Sequence, residues 1–123
     1  MNLSETVPLR EMAHTRSGDK GNHANIAVLA YTPPGFDWLK KHLTIERVQS
    51  YLASLGCSRI ERFEASNLRA FNFVLYDALA GGASRSLRID TQGKTLGQAL
   101  LDLPIPMPVN IEEMRRPHQR NLR

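Results

Sequence analysis

The sequence contains a single cysteine, Cys57, among its 123 residues, so the chain cannot form an intrachain disulfide. Disulfides are rare in reducing compartments, and a lone cysteine without a histidine nearby in sequence gives little support for a thiol nucleophile. The sequence also lacks a run of about 18 apolar residues, the length needed to cross a bilayer. Residues 1–8 do not join a basic segment to an apolar run, as a secretory signal does. These absences predict a soluble, cytoplasmic protein with no membrane partner.

The sequence has no excess of positive charge outside its last residues. The net charge is +4, but four arginines lie within the last nine residues, and residues 1–114 hold twelve basic and twelve acidic side chains. A balanced domain offers no basic surface to a phosphate backbone, so we expect no nucleic-acid partner. The hydrophobic fraction of 41% and the charged fraction of 23% are typical of globular domains. We predict one domain over residues 1–110 and a basic, flexible tail over residues 111–123.

The hydrophobic pattern predicts alternating strands and helices. Strands are expected at 7–16, 24–31, 59–66, 71–79 and 84–90, and the charged and apolar alternation of 59–66 is typical of an edge strand. After a break at 32–35, a short helix is expected over 36–43. Thr44 is expected to cap a second helix that ends near Gly56. A third short helix begins near 93–95, and the prolines at 104, 106 and 108 predict an extended or edge segment. The fold class is therefore α+β, a mainly antiparallel sheet covered by helices.

The most distinctive segment is the polar run between the first two predicted strands, His14-Thr-Arg-Ser-Gly-Asp-Lys-Gly-Asn22. We predict a turn over residues 17–22, whose two glycines would let backbone N–H groups point toward an anion. His14 is the candidate acid–base group, because imidazole titrates near neutral pH, and Asp19, the second catalytic candidate, could orient Arg16, Lys20 or a histidine. The residues predicted to bind the substrate in and near this segment are Arg16, Ser17, Lys20, Asn22 and Asn25.

Two other interpretations of this segment remain open. The polar groups could simply cap one another in a tight hairpin without binding a ligand. A metal could be bound by His14, Asp19 and His23, but their spacing matches no standard zinc or iron motif. We therefore predict no metal and no cofactor.

Three further segments contain candidate binding residues. Asn72 is a polar residue within an apolar strand, so its amide either binds a ligand or satisfies backbone groups. Arg85 follows a glycine-containing loop at 80–83 that could hold a phosphate or a thioester oxygen, or could be an ordinary hairpin turn. The stretch 93–95 begins like a nucleotide-binding loop, but Arg88 stands where that motif requires glycine. ATP or GTP binding is therefore not expected there.

Taken together, five motifs in order resemble one known family. They are the His14–Asn22 run, Asn25-Ile-Ala-Val28, Asn72-Phe-Val-Leu75, the segment Ala80-Gly-Gly-Ala-Ser-Arg-Ser-Leu-Arg-Ile-Asp90 and Gly93-Lys-Thr-Leu96. Over about residues 9–103 the chain resembles the C-terminal domain of the acyclic terpene utilisation proteins, AtuA. The resemblance implies a ferredoxin-like fold, a two-layer α+β sandwich. It also implies a connection with the catabolism of branched acids and their CoA thioesters.

The resemblance leads to two hypotheses about function. In AtuA proteins the domain follows a much larger domain, so a free-standing copy suggests a split subunit that docks on a separate large AtuA-like protein. In the first hypothesis it contributes the polar segment to a shared active site of hydratase, lyase or hydrolase type, acting on a carboxylate or an acyl-CoA. In the second it is a non-catalytic module that stabilises or regulates the larger subunit. We also expect the chain to form a homo-oligomer, because predicted edge strands leave an exposed margin of the sheet.

Overall fold

The part of the protein that the structure describes consists of a four-stranded antiparallel sheet, covered on one side by helices, and a separate two-stranded ribbon. The computed structural model describes residues 5–20, 23–78 and 96–116, apart from the side chains of Asp19 and Lys20. The elements of this part are β1 (Thr6–Pro8), β2 (Ala13–Lys20), β3 (His23–Ala30), α1 (Pro33–His42), α2 (Ile45–Tyr51), β4 (Arg59–Ala65), β5 (Ala70–Tyr76), α3 (Leu96–Leu100) and β6 (Pro104–Pro106).

The strand order of the main sheet is β2-β3-β5-β4, and every neighbouring pair is antiparallel. Since β3 and β4 both run antiparallel to β5, they are parallel to each other with β5 between them. The helices α1 and α2 connect β3 to β4, which makes a split βαβ unit of the ferredoxin-like type. The strand β2 lies beside β3 at the opposite edge from β4. The predicted α+β class and ferredoxin-like fold are therefore confirmed.

Alternation along β3 separates the two faces of the sheet. Ala24, Ile26, Val28 and Ala30 are buried, whereas the residues between them are only half-buried. The buried side chains face the helices, where the ring of Phe36 on α1 stacks on Phe71 of β5 with centroids 4.8 Å apart. No described helix packs against the opposite side, which we call the open face. It carries His14, Arg16, Gly18, Asn25, Ala27, Leu29, Arg59, Glu61, Phe63, Asn72, Val74 and Tyr76.

The helices α1 and α2 each begin directly after a threonine that caps the N-terminus of the helix. The Thr32 hydroxyl accepts the Gly35 N–H at 3.1 Å, and the Thr44 hydroxyl accepts the Arg47 N–H at the same distance. The predicted cap at Thr44 is thus confirmed. The predicted break at 32–35 is wrong: α1 already begins at Pro33, because proline suits the first helical turn, where N–H groups have no partner inside the helix.

The first predicted strand, 7–16, is wrong as a single element. A 3-10 turn at Leu9–Glu11 separates β1 from β2 and allows Leu9 to be fully buried. The predicted turn at 17–22 is also wrong over its first part, since β2 continues through Ser17 to Lys20, paired with residues 23–26. The backbone hydrogen bonds of that ladder satisfy groups that an open turn would leave to water. Positions 21 and 22 lie outside the described residues.

The other predicted elements agree in part. The strand 59–66 is found as β4, at the edge of the main sheet as expected, and the proline segment is extended, with β6 paired to β1. The predicted loop 80–83 and strand 84–90 lie outside the described residues. The start of the predicted tail packs on the domain, since Ile111 and Met114 are buried. Whether a flexible tail follows residue 116 stays a prediction.

Candidate functional site

The polar segment of residues 14–20 lies along a strand, so its side chains alternate between the two faces of the sheet. His14 pairs with Leu29 and Arg16 with Ala27, and all four lie on the open face. Ser17 lies on the helix side, where its hydroxyl oxygen accepts the backbone N–H of Gly97 at 2.6 Å. These residues therefore do not form the single anion-binding turn that the sequence predicts. The side chain of Ser17 lies on the opposite face of the sheet from those of His14 and Arg16.

Four other predicted site residues are described incompletely or not at all. The backbone of Asp19 pairs with Ala24 and that of Lys20 with His23, but their side chains lie outside the description. Asn22 and Arg85 lie outside the described residues altogether. Their assigned roles stay predictions.

The imidazole of His14 lies in an aromatic and cationic environment. Its ring stacks on that of Tyr31, with centroids 5.6 Å apart. Arg116 donates a 2.7 Å hydrogen bond to the Tyr31 hydroxyl, and its guanidinium carbon is 4.8 Å from the Tyr31 ring centroid. We call His14, Arg16, Tyr31 and Arg116 the basic end of the open face.

This environment lowers the pKa of His14 below its ordinary value of 6.5. Partial burial is the largest cause, followed by repulsion from Arg16 and then from Arg116. The neutral imidazole therefore dominates at neutral pH and can accept a proton. The proximity of a negative charge would act in the opposite direction and raise the pKa.

Two residues of the basic end were missed in the sequence. Tyr31 continues the alternation of Leu29 beyond the end of β3, and that signal could have placed it on the open face. No local signal marks Arg116, which was assigned to the tail. It is carried to the sheet by the buried side chain of Met114 and by Arg115, which donates to the Glu11 carboxylate at 2.8 Å.

Two predicted site residues come together at the centre of the open face. The side-chain amide of Asn25 donates to the side-chain oxygen of Asn72 at 3.0 Å, across the β3–β5 pair. Gly18 on β2 makes room for this arrangement, because a Cβ at that position would lie 2.8 Å from the Asn25 side-chain oxygen. The hydrogen bond connects β3 to β5, next to Gly18 of β2.

The opposite end of the sheet holds a second polar cluster. The Asp77 N–H donates to His23 Nδ1 at 3.0 Å, and the Ser58 hydroxyl donates to the Asp77 carboxylate at 2.5 Å. A catalytic triad needs the histidine between serine and aspartate. Here the carboxylate lies between the other two, so the serine is not activated. The cluster closes the end of β5, where Asp77 has a left-handed φ of 61°.

Neither a metal site nor a membrane span is found in the part of the chain that the structure describes. Within it, no three histidine, cysteine, aspartate or glutamate side chains come close enough to hold a metal ion. Each helix of that part is too short or too polar to cross a bilayer.

Comparison with known proteins agrees with this architecture. The family model of the AtuA ferredoxin-like domain matches residues 7–106, from β1 to β6. No curated protein and no solved structure matches the chain. Because the matched region covers most of the 123 residues, the chain belongs to the AtuA ferredoxin-like domain family.

Proposed function

We propose that this protein is the small subunit of an AtuA-like system, and that its basic end contributes a carboxylate or acyl-CoA site to an active site shared with a larger subunit. Branched acids and their CoA thioesters are the substrate class that the family resemblance suggests. The observation that carries the proposal is that His14 stacks on Tyr31, whose hydroxyl accepts from Arg116, on the same face of the sheet as Arg16.

The basic end has free capacity to bind an anion. Neither Arg16 nor Arg116 forms an ion pair with any carboxylate that the structure describes. One N–H of Arg116 donates to the neutral hydroxyl of Tyr31. A guanidinium presents five N–H donors and binds carboxylates through two parallel hydrogen bonds. Two such groups beside one imidazole favour a ligand with a carboxylate or a phosphate.

The surroundings of the basic end suit a ligand with an apolar part. Half-buried Leu29 and Ala27 adjoin it along β3, and Phe63 lies farther along the same row of the sheet, 51% exposed. An acyl chain could lie across this strip while its carboxylate reaches the arginines. Ligand sites usually enclose most of the ligand surface, so one open sheet face needs a second surface to complete the site. A larger subunit would supply it.

Within this proposal the residues have distinct roles. Arg16 and Arg116 hold the anionic group, neutral His14 moves a proton in a hydratase, lyase or hydrolase step, and the Asn25–Asn72 pair supplies amide donors. Asp19 keeps its proposed orienting role, and Lys20, Asn22 and Arg85 keep their proposed binding roles. The Ser17 hydroxyl oxygen accepts the backbone N–H of Gly97 in α3, and the binding role of Ser17 stays a prediction.

The binding part of the proposal is tested by calorimetric titration of the full chain with a short branched-chain carboxylate and with its CoA thioester. Arg16→Gln and Arg116→Gln should each weaken binding about tenfold or more, since a charge-assisted hydrogen bond contributes about 1.5–3 kcal/mol. Affinity should rise as the pH falls from 7.5 to 6, because the bound anion raises the His14 pKa and favours proton uptake.

Arg59→Gln is the matched control, since Arg59 lies on the same face at the far end, over the ring of Tyr76 at 4.1 Å. It should leave the affinity unchanged. Equal weakening by Arg59→Gln, or no binding of either probe, would contradict a site at the basic end.

The catalytic part is tested with the chain and its larger AtuA-like partner together. His14→Asn should lower turnover by about a hundredfold, the usual contribution of a general acid or base. Full turnover by this variant would remove the catalytic role.

One observation favours the alternative, a non-catalytic module that stabilises a larger subunit. Part of the polar segment serves the fold itself, because the Ser17 hydroxyl binds the backbone of α3 and so connects β2 to that helix. In that case Arg16→Ala should weaken association with the larger subunit, measured by co-purification, while turnover per assembled complex stays unchanged.

A further inference from the structure

We infer that a second copy of this chain docks on a patch formed by the loop after β6 and the outer side of α1, which includes none of the four residues of the basic end. The loop spans residues 107–110 and exposes two large apolar side chains: Val109 is fully exposed and Met107 is 44% exposed. Apolar side chains of this size displayed together are typical of interaction surfaces.

The backbone under these side chains is held in place from both sides. The indole N–H of Trp38 donates to the Pro106 carbonyl at 2.8 Å, and Ile105 is fully buried. Prolines at 106 and 108 restrict the backbone further, since each fixes its own φ. Docking would therefore cost little ordering entropy, which is the condition under which a small apolar contact yields measurable affinity.

A depression of about 250 Å³ lies beside this loop. It is lined by Pro34, Asp37, Trp38, Lys41, Asn110 and Met114. Since one water occupies about 30 Å³ in the liquid, the depression is large enough for a single aliphatic side chain. Asn110 lines the depression and directly follows Val109, so the projecting side chain and the hollow belong to one surface.

A second copy fits this surface better than an unrelated partner, because the surface complements itself. In a two-fold dimer the same patch meets on both copies, so each Val109 can enter the depression of the other copy. The charges agree with this arrangement. Asp37 and Lys41 lie one helical turn apart at the depression, and neither forms an ion pair with a described residue. Across the two-fold, each Asp37 can face the other copy's Lys41.

The test is sedimentation velocity of the full chain from about 5 to about 500 μM. The wild type should shift from monomer to dimer over this range, and Val109→Asp should weaken the association at least tenfold. Leu68→Asp is the matched control, since Leu68 is 63% exposed in the turn between β4 and β5 and lies outside the patch. Circular dichroism spectra should be the same for all three proteins.

A charge exchange tests the register of the two copies. Asp37→Lys alone should weaken the dimer, because two lysines would then face each other, and Asp37→Lys with Lys41→Asp should restore it. The inference is overturned if the wild type stays monomeric throughout, or if Leu68→Asp dissociates a dimer that Val109→Asp leaves intact. It is also overturned if Val109 is needed only for binding a larger AtuA-like protein. The basic end is untouched in all these variants, so the outcome is independent of the proposed function.

Discussion

Gly18 shows how a single residue of the polar segment can act through the shape of the sheet. It lies in β2 opposite Asn25, and its missing side chain leaves space for the amide that reaches Asn72. From the sequence, Gly18 was expected to bend a turn. In the structure it lies in a strand, where the absence of a Cβ lets the Asn25 side chain lie close to the backbone.

Gly18→Ala should therefore separate binding from stability. The new methyl would displace the end of a flexible side chain, so the free energy of unfolding should change by less than about 1 kcal/mol, because alanine also favours extended structure more than glycine does. Anion affinity should fall, because the Asn25–Asn72 hydrogen bond is lost.

Urea denaturation of this variant measures the free energy of unfolding, and calorimetric titration measures the anion affinity. Asn72→Ala is the comparison, since it removes the same hydrogen bond from the other side. Unchanged anion affinity in both variants would show that the asparagine pair has no role in binding.

At the scale of elements, α3 approaches the edge strand β2 closely at Gly97. A Cβ at Gly97 would lie 2.6 Å from the Ser17 hydroxyl oxygen and 2.9 Å from that of Thr15. The backbone of α3 can approach the side chains of β2 this closely only because residue 97 has no side chain. The Ser17 hydroxyl takes the Gly97 N–H, one of the N-terminal helix donors that have no partner inside the helix.

Gly97→Ala should destabilise the protein by about 1–3 kcal/mol, the usual cost of forcing an extra carbon into a packed contact. Ser17→Ala removes one hydrogen bond and should cost about 0.5–1.5 kcal/mol. Because the alanine at 97 would collide with Ser17 itself, the double variant should be more stable than the sum of the two single effects predicts.

Chemical denaturation of these three variants measures the coupling. Gln49→Ala, at an exposed position of α2, is the control and should lie within about 0.5 kcal/mol of the wild type. Strict additivity of Gly97→Ala and Ser17→Ala would contradict the close contact between α3 and β2.

At the scale of the whole molecule, His14 and His42 each make the free energy of unfolding depend on pH in the same direction. The pKa of His14 is lowered by partial burial, Arg16 and Arg116, and that of His42 by partial burial, Arg47 and Lys41. Both histidines bind protons more readily in the unfolded chain than in the folded one. Stability is therefore highest above about pH 6.5 and is lost as the pH falls through the lower folded pKa values.

The thermal midpoint should fall between pH 7 and pH 5.5, a range above the titration of ordinary carboxylates. The double variant His14→Asn, His42→Asn should show a smaller decrease over the same range, because neither replacement titrates. Scanning calorimetry at several pH values provides the measurement. An equal decrease in the double variant would assign the acid sensitivity to other groups.

Local sequence patterns determined most of the elements. The apolar run of residues 24–31 predicted the central strand β3, the charged alternation of 59–66 predicted an edge strand, and Thr44 predicted a helix cap. These features depend on neighbours a few residues apart, whose spacing is written in the chain. The motifs also predicted the family, which the match over residues 7–106 confirms.

Only the tertiary structure decided which polar residues share a site. The strand period of two places His14 and Arg16 on one face and Ser17 on the other, and the length of β2 could not be read from a segment rich in turn-forming residues. Arg116 meets Tyr31 across 85 positions, through the packing of Met114 and Arg115. Such contacts depend on how whole elements pack, and no local pattern encodes them.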